Sequence, residues 1–100
     1  MCIRDRRTGG SVGRVGDDEI VQGIRDLART TGVFAETAGG VTTAVLRQLV
    51  DKGLIDPTQE VVVLNTGEGL KTLDPLLSVV GPSHHVQPSL KSLREAGLIA

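Results

Sequence analysis

Two short strings in this sequence set a chemically useful side chain beside glycine. They are Glu36-Thr37-Ala38-Gly39-Gly40 and Asn65-Thr66-Gly67-Glu68-Gly69, the second running on into Leu70 and Lys71. A carboxylate at Glu36 accepts hydrogen bonds or protons, and a hydroxyl at Thr66 donates or accepts. Glycine between them lets the backbone lie against a flat ligand, or turn through φ > 0, because no Cβ intervenes. Ordinary turn and helix-start chemistry accounts for either string alone. Together they point to a site.

The apolar segments before the strings are what must position them. Val61, Val62, Val63 and Leu64 form a continuous run with β-branched bias, the pattern of a strand covered on both faces. Val33-Phe34-Ala35 is too short for a helix and suits a second buried strand. In open α/β sheets ligands collect in the crevice beyond the carboxyl ends of the strands, so parallel neighbours would open both strings onto one rim. Glu36 is then either a solvated strand-end carboxylate or a pocket carboxylate.

Helical periodicity surrounds these segments. Asp17 or Asp18 serves as N-cap, acidic residues fill the first turn, and Ile20, Val21, Ile24, Leu27 and Ala28 share one face before Gly32. A second helix carries Val41, Ala44, Val45 and Leu49 inward, with Arg47, Gln48, Asp51 and Lys52 largely outside and Gly53 closing it. Asp56-Pro57 turns the chain back. The order helix, strand, helix, strand over 17–71 predicts an α/β layer with helices packed on a mostly parallel sheet. A short strand is predicted over 11–15, weakened by Gly13, and a terminal helix over 88–98 with Leu90, Leu93 and Arg94 at helical spacing.

Composition removes several classes of function. The 100 residues make one domain or part of one, and 39% apolar content builds a modest core. Phe34 is the only aromatic residue and the net charge is −1, so base-stacking platforms and a phosphate-tracking field are both missing. Nucleic acid is therefore not the expected partner. Cys2 is the only cysteine, which rules out a disulfide or multi-cysteine zinc site within the chain. His84-His85 has no second ligand cluster at helical spacing and reads as solvated loop, so no metal is assigned. No apolar run reaches the roughly 20 residues that span a bilayer, and the N-terminus lacks an apolar core segment, which predicts no membrane partner and a cytoplasmic setting. Met1 to Arg7, MCIRDRR, shows neither helical nor strand period and is expected to be a non-native leader, with 8–100 the meaningful segment.

The string GVFAETAGGVTTAVLRQLVDKGLIDPTQEVVVLNTGEGLKTLD, with PSLKSLREAGL near the end, closely resembles the C-terminal part of the threonine synthase family. These are fold type II enzymes that use pyridoxal 5′-phosphate. The resemblance runs from Thr8 onward, and its specificity lies in the two strings at this spacing rather than in either one. It implies that Thr66 hydrogen-bonds the pyridine nitrogen of the cofactor, that Gly67 and Gly69 flank it, and that Glu36 lines the pocket near the ring. A carboxylate opposite that nitrogen would favour a pyridinium and a strong electron sink, whereas a hydroxyl moderates carbanion stabilisation.

The implied reaction turns O-phospho-L-homoserine and water into L-threonine and phosphate, by γ-elimination and then addition of water at the β-carbon, in a homodimeric parent. None of Lys52, Lys71 or Lys91 matches the family's Schiff-base lysine, so the resemblance implies a C-terminal fragment that is inactive alone. The string at Glu36 departs from the usual E-P-A-x-A form. That leaves room for another fold type II lyase resembling threonine dehydratase; a reading from a different class is a free-standing, non-catalytic α/β module that binds a small anion.

Overall fold

The computed structural model describes residues 8–100, and the leader reading of 1–7 lies outside them. Helix α1, Asp17–Thr31, starts one residue earlier than its acids suggest, because Gly16 is the N-cap and donates its N–H to the Glu19 carboxylate at 2.8 Å. The acids Asp17, Asp18 and Glu19 fill the first turn, where negative charge meets the unpaired amides. Gly32, at φ 76°, takes the left-handed position that ends the helix and donates to Ala28 O at 3.0 Å. Helix α2, Thr37–Asp51, ends similarly, with Gly53 at φ 69° just beyond it.

The two helices touch along glycine. A Cβ on Gly23 would meet the Gly40 carbonyl and lie 3.2 Å from Ala44 N, and one on Gly40 would meet both Ile20 O and Ile24 Cγ1 at 2.6 Å. Farther along, Arg47 pairs with Asp26 at 3.3 Å. Partner numbers rise together in these contacts, so α1 and α2 run in the same direction. The chain must therefore return between them, and residues 32–36 make that return. Parallel helices joined by a return segment are the helical layer of an α/β unit.

The sheet expected beneath that layer is not assembled. Among the described residues no strand forms, and the one bridge is antiparallel, between Ala35 and Glu68. Val61, Val62, Val63 and Leu64 are exposed at 43, 84, 38 and 73%. A buried parallel strand needs hydrogen-bonding neighbours at its edges and cover on both faces. Here the backbone from Glu60 to Thr66 makes no backbone hydrogen bond among the described residues. Ser11 to Val15 likewise forms no strand; Gly13 instead packs against Val45, and Gln48 donates to Arg14 O at 3.0 Å.

The second string ends in the first of two single turns of 3-10 helix, Gly69–Lys71 and Asp74–Leu76, the latter with Pro75 in its first turn. The terminal helix α3, Leu90–Glu95, is shorter than predicted: Ser89 caps it by accepting from Ser92 N at 3.2 Å, and Gly97 at φ 69° follows. Buried apolar residues among those described are Ile24, Ala35 and Leu76. The radius of gyration, 18.6 Å, exceeds the ~13 Å of a compact 100-residue domain. Most of the apolar surface after residue 53 thus faces outward.

Candidate functional site

The return segment delivers Glu36 to the start of α2, in extended backbone at φ −69° and ψ 176°. Glu36 N–H donates to Gly67 O at 3.1 Å, and Gly69 N–H donates to Phe34 O at 3.0 Å. These two bonds form the antiparallel bridge, so the two glycine-rich strings do meet, in the orientation opposite to that expected of parallel strands. A third bond, from Thr37 N–H to the Thr72 hydroxyl at 3.1 Å, ties the first turn of α2 to the end of the 3-10 turn.

Glycine decides how closely the strings approach. The Glu36 carboxylate occupies the place where a Cβ on Gly67 would stand. Asn65 Oδ1 does the same at Gly39, beside the Ala35 methyl, and the Phe34 ring lies 2.5–2.6 Å from the Cβ position of Gly69. Each string thus receives a polar side chain from the other. Gly69 is buried, Glu36 and Gly67 are half-buried, and Thr66 is exposed.

Thr66 opens onto a shallow hollow of about 530 Å³, shared with Val33, Phe34, Asn65, Gly67 and Glu68. Its hydroxyl makes no hydrogen bond among the described residues. The Glu36 carboxylate lies on Gly67, and neither Glu36 nor any lysine lines this hollow. A second hollow of about 580 Å³ runs between α1 and α2 but touches no residue of either string. In it Gln22 Nε2 donates to Asp26 at 2.7 Å and Arg47 pairs with the same carboxylate, while the buried Gln48 Oε1 accepts no hydrogen bond among the described residues. No cluster of three or more His, Cys, Asp or Glu side chains could hold a metal among the described residues.

Sequence reasoning missed three contributors. Phe34 reads in the sequence only as strand, although a lone aromatic beside the glycine strings is a signal, and its ring packs on Gly69. Asn65 and Thr72 gave no local signal, since their partners lie 26 and 35 residues away.

The family model described as pyridoxal-phosphate dependent enzyme matches residues 2–67, two thirds of the chain, and takes in Glu36, Thr66 and Gly67. The chain belongs to this family. Its relatives include the threonine synthase of Methanosarcina acetivorans, 36% identical over 91 residues, which is 91% of this chain and 22% of the relative. The threonine synthase of Methanocaldococcus jannaschii is 40% identical over 67 residues, 67% of this chain and 16% of the relative. That of Bacillus sp. (strain ULM1) is 39% identical over 69 residues, 69% of this chain and 20% of the relative. The chain spans about a fifth of the length of these curated relatives. No helix among its described residues is long and apolar enough to cross a membrane.

Thr66, whose hydroxyl has no hydrogen bond among the described residues, lines an open hollow, and the Cβ space of Gly67 beside it is taken by the Glu36 carboxylate.

Proposed function

We propose that this chain is the C-terminal part of a threonine synthase, and that it supplies the group facing the nitrogen edge of pyridoxal 5′-phosphate. The observation that carries this reading is the alignment of 91% of the chain with a protein named threonine synthase. The relatives described above all bear that name, which favours it over a dehydratase-like lyase.

In this reading the parent enzyme removes phosphate from O-phospho-L-homoserine and adds water to give L-threonine, as a homodimer in the cytoplasm. The cofactor's pyridine ring supplies an electron sink for carbanions formed during elimination and addition. The chain's own residues set how deep that sink is. Thr66, as a neutral hydroxyl, donates to an unprotonated nitrogen and holds no proton on it, which suits elimination and addition better than transamination. Gly67 and Gly69 admit the Glu36 carboxylate and the Phe34 ring beside the backbone and so seat the second string next to Thr66. Glu36 lies behind Gly67, at the start of α2, rather than in the hollow itself. The lysine that binds the cofactor covalently and the phosphate-binding loop are assigned to the remainder of the parent.

A chimera tests the proposal. Residues 8–100 replace the matching segment of the Methanosarcina acetivorans threonine synthase, and the product is assayed with O-phospho-L-homoserine. Threonine and phosphate released in equal amounts are expected. A folded, cofactor-loaded chimera that instead converts threonine to 2-oxobutanoate would overturn the assignment in favour of a dehydratase.

A further inference from the structure

Two side chains at the junction of the strings are polar, close to backbone, and without a side-chain hydrogen bond among the described residues: Glu36 and Asn65. Neither faces a charged partner within salt-bridge distance. What each does have is a glycine in the opposite string. Glu36, in the first string, fills the Cβ space of Gly67 in the second; Asn65, in the second, fills the Cβ space of Gly39 in the first. The flanking bonds, Glu36 N to Gly67 O at 3.1 Å and Gly69 N to Phe34 O at 3.0 Å, hold the backbone in register around them.

We infer that Glu36 and Asn65 are reciprocal positioning residues, which wedge the two strings together so that the Thr66 hydroxyl is turned outward into the hollow. The physical reason is local. Thr66 sits between Asn65 and Gly67, and both of these neighbours are fixed against the first string while Thr66 itself makes no hydrogen bond. With Asn65 held on Gly39 and Gly67 held under the Glu36 carboxylate, the backbone is fixed on both sides of Thr66, whose own side chain stays exposed at the hollow. Seating Glu36 on Gly67 prevents the next peptide from rotating. Glu36 therefore acts through its shape and its hold on Gly67, and its charge does not touch the ring. The value of this to catalysis rests on Thr66 meeting the cofactor, as proposed above; the wedge itself does not.

The test uses the 100-residue chain, isotopically labelled, with no cofactor. Amide exchange at Glu36 and Gly69 reports the bridge, and the Thr66 amide and methyl resonances report its presentation. Protected exchange at Glu36 and Gly69 is expected in the unmodified chain. Gly67→Ala should speed exchange at Glu36 at least tenfold and shift Thr66, because its Cβ evicts the carboxylate. Glu36→Ala and Asn65→Ala should each shift Thr66. Glu36→Gln, of the same shape without the charge, should keep both signals near their original values. Glu36→Ala combined with Gly67→Ala should perturb exchange at Gly69 less than Gly67→Ala alone, since the added methyl then has room.

Three results would overturn the inference: unprotected amides at Glu36 and Gly69 in the unmodified chain, a Thr66 signal indifferent to Gly67→Ala, or Glu36→Gln as disruptive as Glu36→Ala. Because no cofactor is present, these outcomes are independent of whether the chimera makes threonine.

Discussion

The main-chain N–H of Thr37 donates to the hydroxyl of Thr72 at 3.1 Å, across 35 residues of sequence. Thr37 opens α2, and Glu36, its N-cap, makes no side-chain cap bond. The first amides of a helix have no partner within it, so a distant hydroxyl does here what a local cap does elsewhere. This bond fastens the helix to the segment that follows Gly69, and so helps to close the site.

Thr72→Val removes that acceptor while keeping the side chain's shape. Its cost should be about 1 kcal/mol, the usual worth of a helix cap or a part-buried hydrogen bond. Thr72→Ser should retain most of the stability. Urea denaturation of the two variants, with amide exchange at Thr37, measures both effects.

At the helix pair, Gly40→Ala would set a methyl 2.6 Å from Ile20 O and from Ile24 Cγ1. Backbone atoms cannot swing aside as a side-chain tip does, so α1 and α2 must separate. Overpacking of this kind costs roughly 1–3 kcal/mol, against a gain of about 1 kcal/mol in helix propensity. A net loss of thermal stability is expected. Gly81→Ala, where nothing lies within 4 Å, is the control and should change stability by less than about 0.5 kcal/mol.

Acid should loosen the turn before the apolar run. The Asp56 carboxylate accepts from Thr58 N–H at 2.8 Å and from the Thr58 hydroxyl at 2.7 Å, and these bonds, the backbone one foremost, hold its pKa below the usual 3.8. A pKa lowered in the folded form means that ionised Asp56 favours the turn. Its contribution is fully present above the unfolded value and fades as pH falls through the folded one. NMR titration of Asp56 should give a midpoint below 3.8, and Asp56→Asn should flatten the acid response of the Thr58 amide.

On the proposed reading, Thr66→Val in the parent enzyme keeps the shape and deletes the donor assigned to the ring nitrogen. An acceptor left unpaired costs roughly 1–3 kcal/mol. Expressed in the transition state, that lowers kcat/KM by about ten- to hundredfold, since each ~1.4 kcal/mol is a factor of ten. Cofactor affinity should fall less, because on that reading the covalent and phosphate attachments belong to the remainder of the parent. Threonine formation and phosphate release are the measurements, and a variant with unchanged turnover would make Thr66 a turn residue.

How much of this was legible in the sequence depends on how local each cause is. Gly32 and Gly53 announced helix ends because the left-handed conformation is a property of one residue. Ile20 and Ile24 announced a buried face through a period set by the helix itself. The pairing of Glu36 with Gly67 was foreseen only as two strand ends on one rim, and its antiparallel sense was not, because strand direction is fixed by partners rather than by composition. The run at 61–64 carries the apolar signature of a covered strand, yet cover is a relation between segments. Thr66 came from resemblance, because nothing in its composition or spacing singles it out; in the structure it is exposed and lines the hollow.

That run also makes protein concentration a variable in every measurement on this chain. Val62 and Leu64 are 84 and 73% exposed, on backbone whose N–H and C=O groups make no backbone pairs among the described residues. An open, apolar edge of this kind pairs with its like. Mass action then links apparent stability to dilution, so melting temperatures should rise with concentration as copies associate. Sedimentation velocity across a hundredfold concentration range, beside Val62→Lys, should show self-association in the original chain and its loss in the variant.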